Sequence, residues 1–581
     1  MHLRAALVCV ILASCTICEG LNPVPQGFPA VWDGDCFKQA ECKIIQKPPS
    51  WVDGFLIAQS SGSYGNQSNP LGEKVFHIFD AISGVSVYDL ALGNATFTGA
   101  YYPTKAYKIW NFYDRDFRQS KVAWGTMFSD VNVEAYKTWQ NVPSDVSADA
   151  PNVDFWKIGN TIAAGTESFN PFGFAFDLPK VNNFRYYPFK EADPKLFTQL
   201  IPLHMPIHEH VDPATGIIWN TVLAMNVTSQ IPTFHQLAFT VDTNGVRKIQ
   251  GVFNFSPLDV SKCLKNGSYT GPVTGNGIYW PRYMHTVTAT ENYLILPMSS
   301  LLFHSCQLIM NTPYLPEDNS TVFNPYKKFI FEWDSKAPAV FLIFDKRTKK
   351  FLDPIESKTP QFFTHQFNSY EVNKDELYAD IIAFDYAAYD ALSAINLVQK
   401  GDHPELSNHA YRYTINLKNK TTTWRSLLSP NDPTKVEFSQ INHKFEGKKY
   451  KYGYVLQYPF LQPNHLIKLH VDTPSGEKNK YFKPSEHISL AEPYFVARPG
   501  GKEEDDGVLV VRGFDVSINK TRVYVVDAKT MTKVGEILSP YYSPFGLHER
   551  FYLRETLGMK PSSEARGNGK STPGFFSMFT S

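Results

Sequence analysis

A strand-like run that ends in aspartate and is followed by a short polar turn recurs along the chain. After each turn a second strand-like run begins, rich in β-branched and aromatic residues. This pattern predicts β-hairpins, because such residues favour extended backbone while Asp, Asn, Gly and Thr favour turns. Five clear copies and a weaker sixth are FGFAFDLPKVNNFRYY, LAFTVDTNGVRKIQGVF, VFLIFDKRTKKFLD, IKLHVDTPSGEKNKYF, VYVVDAKTMTKVGEI and IHEHVDPATGIIWN.

Hairpins of one kind spread over most of the chain predict an all-β fold, and their repetition favours a β-propeller. A large β-sandwich or two all-β domains would contain similar hairpins, so hairpin content alone does not separate these folds. Helical signal is sparse. The Ala-rich second half of 376–398 could be helical, and we interpret it as an insertion between strands.

The composition indicates a globular protein with a large core. Of 581 residues, 43% are apolar and 19% are charged, which excludes a disordered chain. The charges of the 56 basic and 56 acidic residues cancel. The sequence has no block of basic residues of the kind that would indicate a nucleic-acid partner. The 43 Phe, 31 Tyr and 10 Trp suit β-structure and would also suit a large apolar ligand, although filling the core explains most of them.

The N-terminus is typical of a secretory signal peptide. His2 and Arg4 precede an apolar run from Ala5 to Cys18, and small residues follow near Gly20, so we assign residues 1–20 to the signal. The apolar run is shorter than a membrane-spanning helix requires. We therefore expect the secretory pathway, with the protein secreted or in the endoplasmic reticulum lumen.

The remainder of the chain divides into three parts. Residues 21–50 are rich in turn formers and predict an irregular N-terminal segment, while residues 51–558 carry the repeated hairpins of the predicted β-propeller domain. The last stretch, 559–581, is rich in Ser and Gly and predicts a flexible tail.

Four cysteines follow the signal peptide, an even number that permits two disulfides in a secreted protein. Their order along the chain suggests the pairs Cys36–Cys42 and Cys263–Cys306. Asn-x-Ser/Thr sequons fit a secreted glycoprotein, although a chain of this length has several by chance. They begin at Asn66, Asn94, Asn226, Asn266, Asn319, Asn419 and Asn519.

Four of the 16 histidines stand in distinctive contexts beside strand-like apolar residues, namely HEHVDPATG, WPRYMHTV, FFTHQFNSYE and SPFGLHERF. A lone histidine is more often structural than a ligand, so a metal site needs several that converge. The first three are separated by gaps close to two propeller blades of about 40–45 residues each. Inner strands of alternating blades could then direct these side chains towards one axis. The four are His208, His285, His365 and His548.

These contexts resemble the carotenoid cleavage oxygenase family, which includes carotenoid dioxygenases and the vertebrate retinoid isomerohydrolase. HxxxDPxTG, HxxNxYE and PxGxHxxF occur in the family's order, with TESFN (166–170) before them. EFxQIN (437–442) and AEPYFV…EEDDG (491–507) lie in the expected places. The resemblance covers roughly residues 50 to 555.

The resemblance implies a seven-bladed β-propeller, with a small helical or loop cap over an axial Fe(II) that the four histidines hold. Imidazole suits iron, and four neutral ligands leave coordination positions open for O2. In the family, three glutamates accept hydrogen bonds from the ring N–H groups of histidine ligands, on the nitrogen that does not bind the metal. The matching positions here are Glu167, Glu437 and Glu492. Thr166 matches a residue near the open iron positions.

Other histidines compete with this set. His210 follows His208 by two residues, so both would face the same side of a strand. The family pattern favours His208, and we interpret His210 as structural. We assign His204, His304 and His77 to the core or the surface.

The implied function is a dioxygenase that cleaves a C=C bond of a carotenoid or apocarotenoid with O2, giving aldehyde or ketone products in an apolar tunnel. A retinoid-ester isomerohydrolase would keep the same iron site. A secreted carotenoid or lipid carrier would use the same propeller without turnover. An apolar surface patch could contact a membrane or a lipid carrier to collect substrate.

Overall fold

The structure is a computed structural model of the chain. It describes most of the sequence from residue 38 to residue 562. The described ranges are 38–63, 82–104, 107, 151–167, 173–226, 228, 231–264, 269–275, 277–303, 305–306, 331–386, 407–429, 433–458, 462–473, 478–544 and 546–562.

Seven β-sheets of four to six strands form a seven-bladed β-propeller, which confirms the predicted architecture. The first strands of the chain are β1 (Lys38–Glu41) and β2 (Lys43–Gln46). Blade 1 contains β3 (Gly54–Ser63), β4 (Ile82–Ala91) and β5 (Asn94–Tyr101). Blade 2 contains β6 (Asp154–Ile158), β7 (Thr161–Gly165), β8 (Gly173–Asp177) and β9 (Asn182–Tyr187).

A two-stranded ribbon follows blade 3, and another interrupts blade 4. Blade 3 contains β10 (Lys190–Glu191), β11 (Leu200–His204), β12 (His210–Val211), β13 (Ile218–Asn226), β14 (Thr233–Val241) and β15 (Val246–Asn254). The first ribbon is β16 (Thr274–Gly275) and β17 (Ile278–Tyr279). Blade 4 contains β18 (Thr288–Ala289), β19 (Tyr293–Met298), β22 (Val340–Asp345), β23 (Lys350–Phe351) and β24 (Ile355–Glu356). The second ribbon, β20 (Leu301–Phe303) and β21 (Phe331–Trp333), is inserted between β19 and β22.

The last three blades have four consecutive strands each. Blade 5 contains β25 (Phe362–Asn373), β26 (Glu376–Phe384), β27 (Asn408–Asn416) and β28 (Thr421–Ser426). Blade 6 contains β29 (Val436–Gln440), β30 (Tyr452–Gln457), β31 (Leu466–His470) and β32 (Lys480–Phe482). Blade 7 contains β33 (Ile488–Ala497), β34 (Gly507–Asp515), β35 (Lys520–Asp527) and β36 (Thr532–Leu538), and the final strand is β37 (Glu549–Leu553). Short 3-10 helices span Leu196–Thr198, Val260–Lys262, His443–Phe445 and Arg554–Leu557.

Strands from both ends of the chain close the ring. Strand β37 pairs antiparallel with β3 and completes blade 1 on the side of the propeller axis. Strand β1 pairs with β5 at the outer edge of blade 1, and β2 pairs with β36 at the outer edge of blade 7. The prediction of an irregular segment over 21–50 was therefore wrong for residues 38–46, which satisfy the backbone groups of two otherwise open sheet edges.

All six predicted hairpins are present. Five of them are outer strand pairs of blades 2, 3, 4, 6 and 7, and the sixth joins β12 to β13. The recurring aspartate holds several of these turns through its side chain. In one of them Asp242 Oδ1 accepts hydrogen bonds from the backbone N–H groups of Asn244 and Val246, each at 2.9 Å. The sequence pattern therefore marked turns that an aspartate side chain stabilises.

Apolar side chains join neighbouring blades into a continuous core. One cluster packs blades 7, 1, 2 and 3 together, and a second packs blades 3 to 6. Representative buried members of the first are Val523, Leu56, Trp156 and Val222, and of the second Leu223, Leu296, Ile382 and Val455. Since each blade contributes to the core on both of its faces, the ring holds the inner strands at fixed positions around the axis.

One of the two predicted disulfides is present. Cys263 and Cys306 are bonded, with their Cα atoms 5.5 Å apart. The pair Cys36–Cys42 was wrong, because Cys42 is a free, buried thiol that hydrogen-bonds the side chain of Ser539. Strands β1 and β2 diverge to different blades at this point, and the residue between them enters the core. Burial raises the pKa of Cys42 to about 12.

Several predictions fall outside the described residues. These are the signal peptide, the tail beyond residue 562, and most of the predicted helix, since residues 387–406 are not described. The first part of that predicted insertion, Glu376–Phe384, is strand β26. Within the tail, Ser562 is held by a hydrogen bond from its N–H to Asp53 Oδ2 at 2.9 Å. No helix in the described ranges has the length and apolar character needed to cross a membrane.

Candidate metal centre

Four histidines from four blades converge at one point. His208 precedes β12 in blade 3, His285 precedes β18 in blade 4, His365 lies in β25 of blade 5, and His548 precedes β37 in blade 1. One ring nitrogen of each histidine lies within 4.8 Å of those of the other three. The structure therefore brings together all four residues that the sequence analysis selected.

The expected spacing of these histidines around the ring was wrong. The first three lie on the consecutive blades 3, 4 and 5 rather than on alternating blades. The sequence gaps are long because the ribbon β16–β17 follows blade 3 and the ribbon β20–β21 is inserted in blade 4. One blade together with its ribbon therefore takes up about as many residues as were expected for two blades.

The distances within the cluster suit coordination of a single ion. His208 Nε2 lies 3.2 Å from His285 Nε2, and His365 Nε2 lies 3.2 Å from His548 Nε2. Two nitrogens at right angles about a metal ion, each with a bond of about 2.1 Å, would be about 3.0 Å apart. The rings are nearly perpendicular to one another, with interplanar angles from 69° to 79°. Such an arrangement directs several lone pairs at a common centre without stacking the rings.

A carboxylate lies beside the second nitrogen, Nδ1, of every one of these histidines. Glu167 Oε1 lies 2.7 Å from His285 Nδ1, and Glu492 Oε2 lies 3.0 Å from His548 Nδ1. Glu437 Oε2 forms a short contact with His365 Nδ1. The fourth carboxylate, which the sequence analysis missed, is Asp154, whose Oδ2 lies 3.1 Å from His208 Nδ1.

These contacts fix which ring nitrogen carries the proton. An ionised carboxylate can only accept, so beside it the Nδ1 of a neutral imidazole carries the hydrogen and the Nε2 presents a lone pair. Nε2 lone pairs 3.2 Å apart repel one another, and a cation between them would turn this repulsion into coordination. The donor set present in this chain therefore fits a metal ion that prefers imidazole.

Further donors hold the three glutamates in place. Tyr283 donates its hydroxyl to Glu167 Oε1 at 2.8 Å, and Thr364 donates its hydroxyl to Glu437 Oε1 at 2.6 Å. The backbone N–H of Glu549 donates to Glu492 Oε2 at 2.8 Å. These donors restrict the orientation of the carboxylates towards the imidazoles.

Burial sets the protonation of this cluster. Burial and the neighbouring histidines lower the pKa of His208 and of His548 well below its usual value, so both are neutral donors at neutral pH. Burial also opposes charge on His365, but Glu437 beside it outweighs this and raises its pKa. Burial, together with nearby Asp154, raises the pKa of Glu492 to about 8. A divalent cation at the centre would favour the ionised form of such crowded carboxylates.

Three inner strands pair irregularly at predicted site residues. The register shifts between Phe363 and Gln366 in β25, between Glu437 and Gln440 in β29, and between Leu490 and Pro493 in β33. Each interval contains or begins at one of the predicted site residues. A β-bulge turns a side chain away from the regular alternation of a strand, which is why bulges often lie beside active sites.

Phe438 is a further residue of the centre that the sequence analysis did not select. It lies in the bulge of β29 with a φ of 56°, a left-handed conformation that is rare for a bulky residue. Its ring packs on His365 and His548, with centroids 5.3 and 5.4 Å apart. The bulge therefore places both a carboxylate and an aromatic wall against the histidines.

Thr166 lies beside Glu167 in the segment that follows β7. Its side chain is half-buried, and it makes no hydrogen bond to another residue of the described ranges. The structure thus places it in the same segment as a site carboxylate, and a role beside the open metal positions stays a prediction.

A polar cavity of about 70 Å³ adjoins the cluster and includes His208 and His365 in its wall. His210 also lines it, with Nδ1 3.5 Å from Glu446 Oε2, and lies outside the group of four. His204 is a core residue, fully buried, with Nε2 2.7 Å from the carbonyl oxygen of Met284. The remaining competitors, His77 and His304, lie outside the described residues.

Two missed residues form an ion pair at the centre. Arg550 holds Asp154 through Nε, 2.8 Å from Oδ1, and through a short contact between Nη2 and Oδ2. A sequence signal existed for Arg550, since a residue two positions after His548 on extended backbone faces the same side. Asp154 has no such signal, because it comes from a different blade from the histidine it contacts.

A family model described as RPE65: Retinal pigment epithelial membrane protein matches residues 37–552. A mitochondrial carotenoid-cleaving dioxygenase of Mustela putorius furo is 22% identical over 87% of this chain and 92% of that protein. Carotenoid cleavage dioxygenase 8 homolog B of Oryza sativa is 28% identical, and there the chain spans only about half of the relative, with 48% of each protein covered.

Solved structures with the same fold also match. Cobalt-substituted Synechocystis apocarotenoid oxygenase aligns with a TM-score of 0.63 and 15% identity, covering 92% of this chain and 97% of that chain. The lignostilbene dioxygenase of Pseudomonas brassicacearum aligns with a TM-score of 0.63 and 16% identity, covering 92% and 100%. At these identities the likeness concerns the propeller architecture.

Proposed function

Because this chain belongs to the RPE65 (retinal pigment epithelial membrane protein) family, we propose that it is a non-haem Fe(II) dioxygenase that cleaves a C=C bond of a carotenoid or apocarotenoid. The products would be aldehydes or ketones. The substrate class rests on the relatives, which include proteins named as carotenoid-cleaving.

The observation that carries the proposal is the convergence of four imidazoles, each with a carboxylate at Nδ1. Four neutral nitrogen donors would bind a divalent transition metal and leave positions free for other molecules. When bound, Fe(II) would supply the one-electron chemistry that activates O2.

The protein's own residues would bind, orient and shield the centre. Each imidazole would donate its Nε2 lone pair to the metal, while its Nδ1 proton stays hydrogen-bonded to the partner carboxylate. The ring of Phe438 covers His365 and His548 on one side and excludes water there. None of these side chains needs to gain or lose a proton, so the residues act as a fixed scaffold for the reaction.

The test uses purified protein loaded with Fe(II) in air and detergent-solubilised carotenoids, analysed by liquid chromatography and mass spectrometry. The proposal predicts paired carbonyl products whose carbon atoms add up to those of the substrate. The variant His365→Ala should lose both iron and product. His487→Ala is the matched control, because the side chain of His487 is 53% exposed and lies beside Glu486, outside the metal cluster.

Iron-loaded protein that leaves the polyene intact, or only isomerises it, would contradict cleavage of that substrate. An isomerised retinoid ester would then support the isomerohydrolase. Pigment that binds equally well to wild type and to His365→Ala, without product, would support the carrier.

We also propose that the protein enters the secretory pathway and is N-glycosylated. The apolar N-terminal run and the bond between Cys263 and Cys306 support an oxidising compartment. Asn419 lies exposed in the turn between β27 and β28, where it is accessible for glycosylation. Protein expressed in eukaryotic cells should shift in mobility after glycosidase treatment and begin near residue 20 or 21. An unprocessed N-terminus without a glycan would contradict this assignment.

A further inference from the structure

We infer that Asp154 is a positioning residue of the metal centre, the carboxylate that orients His208. This inference rests on the proposed metal-dependent function and adds a fourth member to the three glutamates expected from the family resemblance. It assigns the histidine of blade 3 an acceptor from the neighbouring blade 2, at 3.1 Å between Nδ1 and Oδ2.

The contacts of Asp154 leave it one orientation. Arg550 binds both carboxylate oxygens as a fork, and the backbone N–H of Phe155 donates to Oδ1 at 2.7 Å. The side chain of Gln59 fixes the backbone of the same residue, donating to the Asp154 carbonyl oxygen at 3.0 Å. Asp154 is fully buried, so water does not compete for its oxygens. The oxygen near His208 is therefore presented to the imidazole by a rigid surround.

The pattern around the ring supports this role. Blades 1, 3, 4 and 5 each contribute one histidine, and blades 2, 6 and 7 contribute the carboxylates. With only the three glutamates, His208 would be the one imidazole of the cluster without a fixed Nδ1 acceptor. With Asp154, all four histidines have a carboxylate beside Nδ1. Each Nε2 can then direct its lone pair at the centre.

Asp154 differs from the three glutamates because, among the described residues, it alone of the four forms an ion pair with an arginine, Arg550. Arg550 is a buried cation in β37, two residues after the proposed ligand His548. An unpaired guanidinium at this position would repel a metal cation. The fork between Arg550 and Asp154 cancels that charge while one carboxylate oxygen stays in contact with His208. Asp154 therefore orients one ligand and compensates a charge beside another.

The test must separate positioning of His208 from loss of a buried ion pair. Replacing a buried ion pair by apolar residues of similar volume often leaves folding stability unchanged. The variant Asp154→Leu/Arg550→Met removes both charges together and leaves the Nδ1–H of His208 without an acceptor. The matched control is Asp380→Leu/Arg412→Met in blade 5, since Arg412 Nε and Nη2 bind Asp380 in the same fork at 2.8 and 2.7 Å.

Metal-free protein is titrated with Co²⁺ against a chromophoric chelator, and the visible absorption of the bound Co²⁺ is recorded. The Asp154→Leu/Arg550→Met variant should bind Co²⁺ about 10–100-fold more weakly, with a changed spectrum. The blade 5 control should match wild type in both. Asp154→Asn, which keeps an acceptor oxygen without the charge, should lie between the two. Activity of the iron-loaded enzyme is not needed for this comparison.

Wild-type affinity and spectrum in Asp154→Leu/Arg550→Met would overturn the inference and reduce Asp154 to a structural partner of Arg550. If that variant does not fold, Asp154→Asn decides: unchanged affinity and spectrum overturn the inference, and weaker binding with an altered spectrum supports it. A wild-type protein that binds no Co²⁺ or Fe²⁺ would instead refute the proposed function itself, so the two failures are distinguishable.

Discussion

The two nitrogens of each imidazole at the centre have separate roles. Nδ1 is bound to a carboxylate of the protein, and Nε2 is free to bind an ion. A substitution at one of the carboxylates therefore leaves the ligand side chain in place but releases its orientation. The expected effect is on metal affinity more than on folding.

Glu437→Gln tests this separation at the histidine of blade 5. The neutral amide accepts a weaker hydrogen bond from His365 and can present its NH₂ group to Nδ1 instead, which would favour the wrong tautomer. We expect Co²⁺ affinity to fall by about 10–100-fold. Competition titration with a chelator measures it.

A suitable comparison is Glu191→Gln, because Glu191 pairs with Arg247 in blade 3, a contact that involves none of the four histidines. Equal affinities for wild type and Glu437→Gln would show that the carboxylate does not act on the metal through His365.

The sequence identified the histidines and glutamates because each is embedded in a local motif. The partners that complete the centre lack such motifs. Asp154 contacts a histidine of the next blade, and Tyr283 contacts a glutamate from blade 2 across 116 positions of sequence. These contacts depend on how the blades are arranged around the axis, which short-range patterns do not encode.

The segment before β37 carries His548. A glycine in this segment allows its backbone to lie close against β3. A Cβ added to Gly546 would lie 1.6 Å from the carbonyl oxygen of Gln59 in β3. The backbone N–H of Gln59 also donates a hydrogen bond to the His548 carbonyl oxygen at 3.0 Å. The glycine of the PxGxHxxF motif is thus explained by close approach of two backbones.

Gly546→Ala should therefore displace the segment that carries His548. Overpacking of this kind costs about 1–3 kcal/mol or more in stability, and the metal affinity should fall as well because a ligand moves. Denaturant unfolding and Co²⁺ titration measure the two effects. Gly500→Ala is the comparison, since nothing lies within 4 Å of a Cβ there, although its φ of 72° carries strain of its own. Wild-type metal binding in Gly546→Ala would contradict the proposed contact.

The hairpins were predictable as elements, whereas their assembly into blades was not. Asp242 and its equivalents stabilise turns through bonds to residues two to four positions away, a range that a sequence pattern records. The spacing of the histidines misled because blades 3 and 4 contain extra ribbons of their own. Likewise β1 and β2 have few local signals, and they are strands only because two distant sheet edges need partners.

Across the whole molecule, an ion bound at the centre would link four blades, because the four histidines come from blades 1, 3, 4 and 5. An ion that binds the folded ring but not the unfolded chain stabilises it by mass action, by about 2.7 kcal/mol at 100 times the dissociation constant. Thermal unfolding of metal-free protein should therefore shift to higher temperature as Co²⁺ is added. His365→Ala should show a much smaller shift, and an equal shift in that variant would place the stabilising ion elsewhere.

Cys42 offers a probe of ring closure. It is 8% exposed between β1 and β2, and burial raises its pKa to about 12, so little reactive thiolate is present. Iodoacetamide should leave Cys42 unmodified in the native protein and alkylate it after unfolding in denaturant. Peptide mapping by mass spectrometry gives the result, and rapid modification of the native protein would indicate that the N-terminal strands detach from blades 1 and 7.

The pairing of β37 with β3 has a consequence for biosynthesis. The chain is made from its N-terminus, so the edge of β3 that pairs with β37 stays open until almost the entire propeller has been synthesised, although β4 pairs with the other edge early. The histidines of blades 3, 4 and 5 emerge from the ribosome well before His548, which arrives with the strand that completes the circle. We therefore expect metal loading to follow synthesis rather than accompany it. A chain terminated before residue 548 would lack both a ligand and the strand that joins its two ends.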